Sequence, residues 1–267
     1  MLNDRWPQRI VCLTEETTEL LYLLGEQDRI VGISGFTVRP PIARKEKPKI
    51  SAFTSAKESK ILDLKPDLVF AFSDMQADIV ADLVRAGLQV HVFNQRTVAG
   101  IFQMMTTVGR LLSVEEKTDA LAMQFQQHLD EVARQGSQLK RKPLVYFEEW
   151  NDPMMACIQW VSELIEIAGG VNCCKELSMH PDGKSRIIAD PQRIIDARPD
   201  IIIGSWCGRR FRSEHIHARE GWADIPALKT ESLYEIRSPI ILQPGPASLT
   251  EGVSALLGLF QQWDASV

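Results

Sequence analysis

Ile194-Ile195-Asp196-Ala197-Arg198-Pro199-Asp200-Ile201-Ile202-Ile203 decides the fold, because the same pattern stands half a chain earlier as Ile61-Leu62-Asp63-Leu64-Lys65-Pro66-Asp67-Leu68-Val69-Phe70. Each copy runs apolar, apolar, Asp, apolar, basic, Pro, Asp, and then an apolar stretch. Pro drives the residue before it out of right-handed helical geometry, so an amphipathic helix ends there. The all-apolar run that follows fits a strand buried on both faces of a parallel sheet. One helix-to-strand joint written twice predicts two α/β lobes of like design, and a cleft between lobes is where small ligands bind.

A second echo lies upstream of each joint. Thr18-Glu19-Leu20-Leu21-Tyr22-Leu23-Leu24-Gly25 is matched by Ser162-Glu163-Leu164-Ile165-Glu166-Ile167-Ala168-Gly169, and each reads as a helix closed by a glycine. Around these anchors the front half alternates. Strands fit residues 9–14, 30–34, 49–51, 67–72 and 89–94, and helices fit 16–24, 58–64 and 76–86. The stretch from Val98 to Gln135 lacks proline and carries Leu121, Phe125, His128, Leu129 and Val132 at helical spacing, as one or two long helices would. The back half restarts with strands at 144–148, 201–204 and 240–243, and helices at 161–168, 191–197 and 250–262. The expected organisation is an α/β lobe over 1–97, a linking backbone helix region over 98–142 and a second α/β lobe over 143–267. The fold class is therefore α/β, two Rossmann-like lobes joined by a long helix with a ligand cleft between them.

The 267 residues carry a net charge of −5 and are 45% hydrophobic and 24% charged. That acidic balance argues against nucleic acid as a partner, which calls for a basic footprint. Arg209, Arg210 and Arg212 form a short basic run that reads as a solvated loop. No apolar stretch is long enough to span a membrane. The five cysteines, Cys12, Cys157, Cys173, Cys174 and Cys207, have no disulfide spacing. With no signal peptide ahead of the first strand, the expectation is a cytoplasmic protein, or a periplasmic one if the chain is a trimmed mature form. A monomer is expected.

Ligands of open α/β sheets sit in the loops after the carboxyl ends of strands. In the front half that rule selects Glu15, Glu16, Phe36 and Arg39, then Phe53, Asp74 and Gln95. In the back half it selects Glu149 and Trp150, Trp206 and Cys207, and Gln243. Aromatic rings with a few polar groups suit a large, flat, partly polar ligand; Phe53 is equally readable as lobe core. Trp150 and Trp206 are expected to face the cleft and touch ligand. Neighbouring Glu148 and Glu149 alternate faces of a strand, so they do not form a catalytic carboxylate pair. Cys207, beside two arginines, is either an activated thiol or a thiol lining the pocket. His215 and His217 lack a third ligand nearby in sequence, so no metal site is assigned. P-loop, dinucleotide and nucleophile-elbow motifs are all missing, and no enzymatic activity or intrinsic cofactor is expected.

The first strand Arg9–Thr14, both Pro-Asp joints, the stretch from Gly221-Trp222 through Ile225-Pro226-Ala227 to Tyr234-Glu235-Ile236, and the blocks Phe147-Glu148-Glu149-Trp150, Gly204-Ser205-Trp206-Cys207 and Leu242-Gln243-Pro244-Gly245-Pro246 carry a resemblance. They resemble the class III, helical-backbone substrate-binding proteins of ABC importers, and among these the cobalamin-binding proteins. The resemblance implies a cobalamin, cobinamide or iron-chelate ligand held between two lobes, and an ABC importer permease as partner. Members of that class dock through a Glu on each lobe. Glu58 or Ser59 stands at the front position, and Glu251 is nearest the back one. A cytosolic metal- or corrinoid-handling protein or enzyme reusing the fold is the alternative.

Overall fold

Five short apolar strands build the first sheet: β1 (Ile10–Cys12), β2 (Ile30–Ser34), β3 (Lys49–Ser51), β4 (Leu68–Phe72) and β5 (Val90–Phe93). They pair in the order β3-β2-β1-β4-β5, every pairing parallel. β1 and β4 are buried throughout, as their unbroken apolar sequence requires. In this computed structural model residues 5–52 and 54–266 are described. The sheet belongs to a compact unit made of the chain up to Gln95 with Ala99–Gln124, and a second unit comprises Arg96–Val98 with the chain from Phe125 onward.

The second unit is built on β6 (Leu144–Asn151), β7 (Met154–Ala156), β8 (Val171–Asn172), β9 (Ile201–Gly204) and β10 (Leu233–Glu235). The order is β10-β9-β6-β7, with β8 also on β6. All these pairings are parallel except the β6–β7 hairpin. Two helices, Val98–Leu112 and Glu115–Gly136, fill the proline-free middle, and the longer one carries the chain from one unit into the other.

The repeated motif is repeated in atomic detail. Helices Glu58–Asp63 and Gln192–Ala197 end at a basic residue in left-handed geometry, Lys65 at φ 46° and Arg198 at φ 53°. The aspartate after each proline then fastens the neighbouring strand. Asp67 accepts the backbone N–H groups of Gln8 (2.7 Å) and Arg9 (2.9 Å), and Asp200 accepts that of Leu144 (2.9 Å). The backbone N–H of each aspartate returns a bond to the same strand start, at Arg9 O and Leu144 O. The glycine echo also holds. Gly25 (φ 73°) and Gly169 (φ 94°) each donate to the carbonyl three residues back, while the next N–H reaches five residues back. That double bond pattern is the Schellman cap, which needs a left-handed residue at this point.

Three expectations change. Residues 240–243 are not a strand: Ser238–Ile241 is a short helix with Pro239 in its first turn. The edge beside β9 is taken instead by Leu233–Glu235. β7 and β8 were not expected, and β6 runs on to Asn151 to pair with β7.

Candidate functional site

In the first sheet the chain reverses direction across β1 and β4, so the loops after these two strands flank the switch point where open α/β sheets bind ligands. After β1 come Glu15 and Glu16, in the first turn of helix Glu15–Leu23. Both are buried, 3% and 1% exposed. Glu15 accepts the Val38 N–H at 2.8 Å through one oxygen, and its other oxygen is buried with no partner. Glu16 accepts the Thr14 hydroxyl at 2.6 Å. Burial, with the neighbouring carboxylates, pushes Glu15 up to about 8 and Glu16 up to about 7.

These side chains shape the loop after β2. Arg39 pairs with Glu19 at 2.7 Å, and Arg44 donates to the carbonyls of Gly35 (2.8 Å) and Thr37 (2.7 Å). The pinned loop holds the Phe36 ring 60% exposed. Asp74 is exposed after β4 and lines a pocket of about 330 Å³ with Ser73, Val92 and Asn94. Gln95 is buried. Phe53 lies outside the described residues.

In the second sheet the switch point lies across β6 and β9. Glu148, fully buried, accepts the Tyr146 hydroxyl (2.8 Å), the Trp206 indole N–H (3.0 Å) and both terminal nitrogens of Arg219 (2.6 and 3.0 Å). Glu149 is held by both terminal nitrogens of Arg186 (2.5 and 3.0 Å) and by the Ile158 N–H (3.1 Å). Both carboxylates are thus committed to ion pairs within the lobe. Trp206 is 3% exposed and packs in the core with Tyr146 and Trp222, its indole spent on Glu148. The ring expected at a ligand surface is thus almost wholly covered, with its indole N–H held by a carboxylate. Trp150 is half-buried, its indole N–H bonded to Asp152 O and the Arg209 guanidinium 5.0 Å above its ring. Gln243 is half-buried beyond the short helix Ser238–Ile241.

Cys207 is exposed, but desolvation and the Glu149 carboxylate raise its thiol above the ordinary range, so the arginines do not activate it. All five cysteines are free. His217, in the helix Ser213–His217, is raised by the Ser213 carbonyl and Glu231. No cluster suited to a metal ion exists among the described residues.

The run read as a solvated loop does more than expected. Arg209, Arg210, Arg212 and His215 line a pocket of about 440 Å³ with Asn151 and Trp206. A larger one of about 730 Å³ adjoins it through Arg210, Arg212 and His215. The sequence signal for these pockets was three arginines in four positions, beginning five residues after the end of buried β9.

The lobes and their topology are those of known receptors. The chain is 24% identical to a substrate-binding lipoprotein of an ABC transporter in Bacillus subtilis, over 94% of this chain and 79% of that protein. It is 24% identical to the vitamin B12-binding protein of Vibrio cholerae, over 91% of this chain and 85% of that one. The solved structure of a periplasmic heme-binding protein from Roseiflexus superposes with a TM-score of 0.80 at 22% identity, over 95% and 99% of the two chains. These likenesses overturn the expectation of a cytoplasmic protein, since the proteins matched are a lipoprotein and periplasmic receptors, which points outside the cytoplasm. A profile described as periplasmic binding protein matches residues 10–240, and the chain belongs to that family.

Proposed function

We propose that this chain is the receptor component of an ABC-type importer and binds a cobalamin-like corrinoid or a related metal chelate. The observation that carries the reading is the match to a vitamin B12-binding protein along nearly the whole length of both chains. The site supports it. Each lobe taken by itself offers a ring face: Phe36 is exposed on a loop pinned by the Arg39–Glu19 pair, and Trp150 stands near the end of β6 with its indole N–H bonded to Asp152 O; aromatic faces held in place suit a planar ligand. Both strand-end carboxylates of the back lobe are neutralised structurally, which fits a receptor and not an acid–base catalyst.

The reading is tested by titrating the protein with cyanocobalamin, dicyanocobinamide, hemin and ferric siderophores while following quenching of its six tryptophans. Saturable binding of at least one of them with Kd below about 10 μM, roughly −7 kcal/mol, is expected. Failure of all of them to bind at that level contradicts it.

A further inference from the structure

Directly after β8 stand two adjacent cysteines, Cys173 and Cys174, and both thiols are free. Binding of a chelate as proposed above uses neither. Their Sγ atoms lie 3.8 Å apart. Cys174 is 1% exposed and packs with Tyr146 and Ala156, while Cys173 is half-buried against the same cluster, so the pair lies at the margin of the core. The turn that carries the sulfurs is held at both residues. The Cys173 N–H donates to Val145 O (2.9 Å), and the Cys174 N–H donates to Asn172 Oδ1 (3.0 Å). Buried Asn172 is itself fixed, its amide nitrogen donating to Ser162 Oγ and Ser178 Oγ, each at 2.9 Å.

Two thiols this close can join each other or share a third atom, and geometry separates the cases. Their peptide bond is trans, which sets the two Cα atoms about 3.8 Å apart, below the roughly 4.4–6.8 Å that ordinary disulfides span. A bond between these sulfurs is therefore strained and readily reduced. A shared atom meets no such limit. Two thiolates on one tetrahedral centre, with metal–sulfur bonds of about 2.3 Å, stand about 3.8 Å from each other. These sulfurs already have that separation. The hydrogen bond between the thiols also lowers Cys174 while raising Cys173, and the Arg193 guanidinium beside Cys174 adds to its lowering, so one thiolate is on hand to begin ligation.

We infer that Cys173 and Cys174 form a two-sulfur chelate for a thiophilic metal or metalloid centre, a class that sulfur ligands select. The described residues supply no three-ligand cluster, so the remaining positions on the centre belong to water or to groups that the incoming species carries. Loading breaks both S–H bonds and forms two bonds from sulfur to the centre. The two protons pass to solvent (for an arsenic oxide they leave as water with its oxygen), and no oxidation state changes. The site is separate from the receptor reading and stands or falls without it.

The test titrates phenylarsine oxide, which closes on paired thiols, and separately the cadmium ion, into protein reduced and then freed of reductant without air. Intact mass and the free-thiol count after denaturation read the first probe. The thiolate-to-cadmium charge-transfer band reads the second. One arsenical per chain is expected, closing two of the five thiols, with peptide mapping placing it on Cys173 and Cys174. Cadmium should saturate at one ion per chain. Losing one thiol forfeits the chelate, so Cys173→Ser should weaken both probes by at least about tenfold. Cys173 is replaced because Cys174 stands in the core, and an unchanged thermal midpoint confirms the fold. Cys157→Ser and Cys207→Ser should leave both titrations as they are. Binding that persists in Cys173→Ser, binding lost in Cys207→Ser, or no binding of either probe to the reduced protein overturns the inference. So does protein that isolates two hydrogens lighter, with Cys173 and Cys174 joined in a disulfide that mild reductant leaves intact.

Discussion

Replacing Glu15 by Gln should stabilise this protein at alkaline pH and leave it unchanged near pH 5. Glu15 is 3% exposed, one oxygen bonded to the Val38 N–H and the other without a partner, and its carboxyl is held up to about 8 against an ordinary value of 4.5. In the window from 4.5 to 8 the unfolded chain has lost the proton and the folded chain keeps it. Folding therefore takes up a proton, and stability falls as pH rises, by about 1.4 kcal/mol per unit. Over that window the upper bound is about 5 kcal/mol, and with local relaxation around the ionised group about 2–4 kcal/mol is the working figure. Glutamine keeps the acceptor for Val38 and carries no charge, so Glu15→Gln removes the penalty. Urea unfolding followed by tryptophan fluorescence, at pH 5 and pH 8.5, reads both proteins. Coincident curves at pH 5 and a more stable variant at pH 8.5 are expected. A variant that is less stable at both pH values, or a difference that does not depend on pH, refutes the reasoning.

Arg219→Ala strips the buried Glu148 carboxylate of its counter-charge and should cost about 3–5 kcal/mol in the same unfolding assay; a loss below 1 kcal/mol would show that the pair is not the keystone of the β6–β9 end. Trp206→Ala removes a core ring and a hydrogen-bond donor to Glu148, and a destabilisation of about 3–5 kcal/mol is expected, as for other large-to-small core changes. A thermal midpoint close to wild type would instead return that ring to the surface. Cys207 is exposed yet has a raised thiol, so its labelling by a thiol reagent should be slow at pH 7 and rise about tenfold per unit toward pH 9. Rapid labelling at pH 6 would contradict the assignment.

The doubled Pro-Asp joint was legible because it is local chemistry. A basic residue before proline, a left-handed cap, and an aspartate that ties the adjacent strand all lie within a few residues, and the strand that follows is apolar throughout. The glycine caps were legible for the same reason. Where the sequence misled, the deciding partner was distant. Nothing near Trp206 announces that Glu148 will claim its indole, or that Arg219 will claim Glu148 from 71 positions away. Nor does anything near Glu149 announce that Arg186, 37 positions on, will hold its carboxylate. The apolar run Ile240-Ile241-Leu242 resembles a strand, but Pro239 starts a helix and the three residues of β10 already fill the sheet edge. The arginine-lined pocket escaped because a basic run in isolation looks like solvated surface, and only the packing of Phe211 on Gly204 fixes it in place.

The central claim, that this chain is a receptor for one corrinoid or related chelate, is tested most directly by isothermal titration of the purified protein with cyanocobalamin, dicyanocobinamide, hemin and ferric siderophores, each separately. The account predicts a single saturable isotherm of one ligand per chain for at least one of them, with Kd below about 10 μM, roughly −7 kcal/mol. Heat of dilution alone with all of them would contradict it.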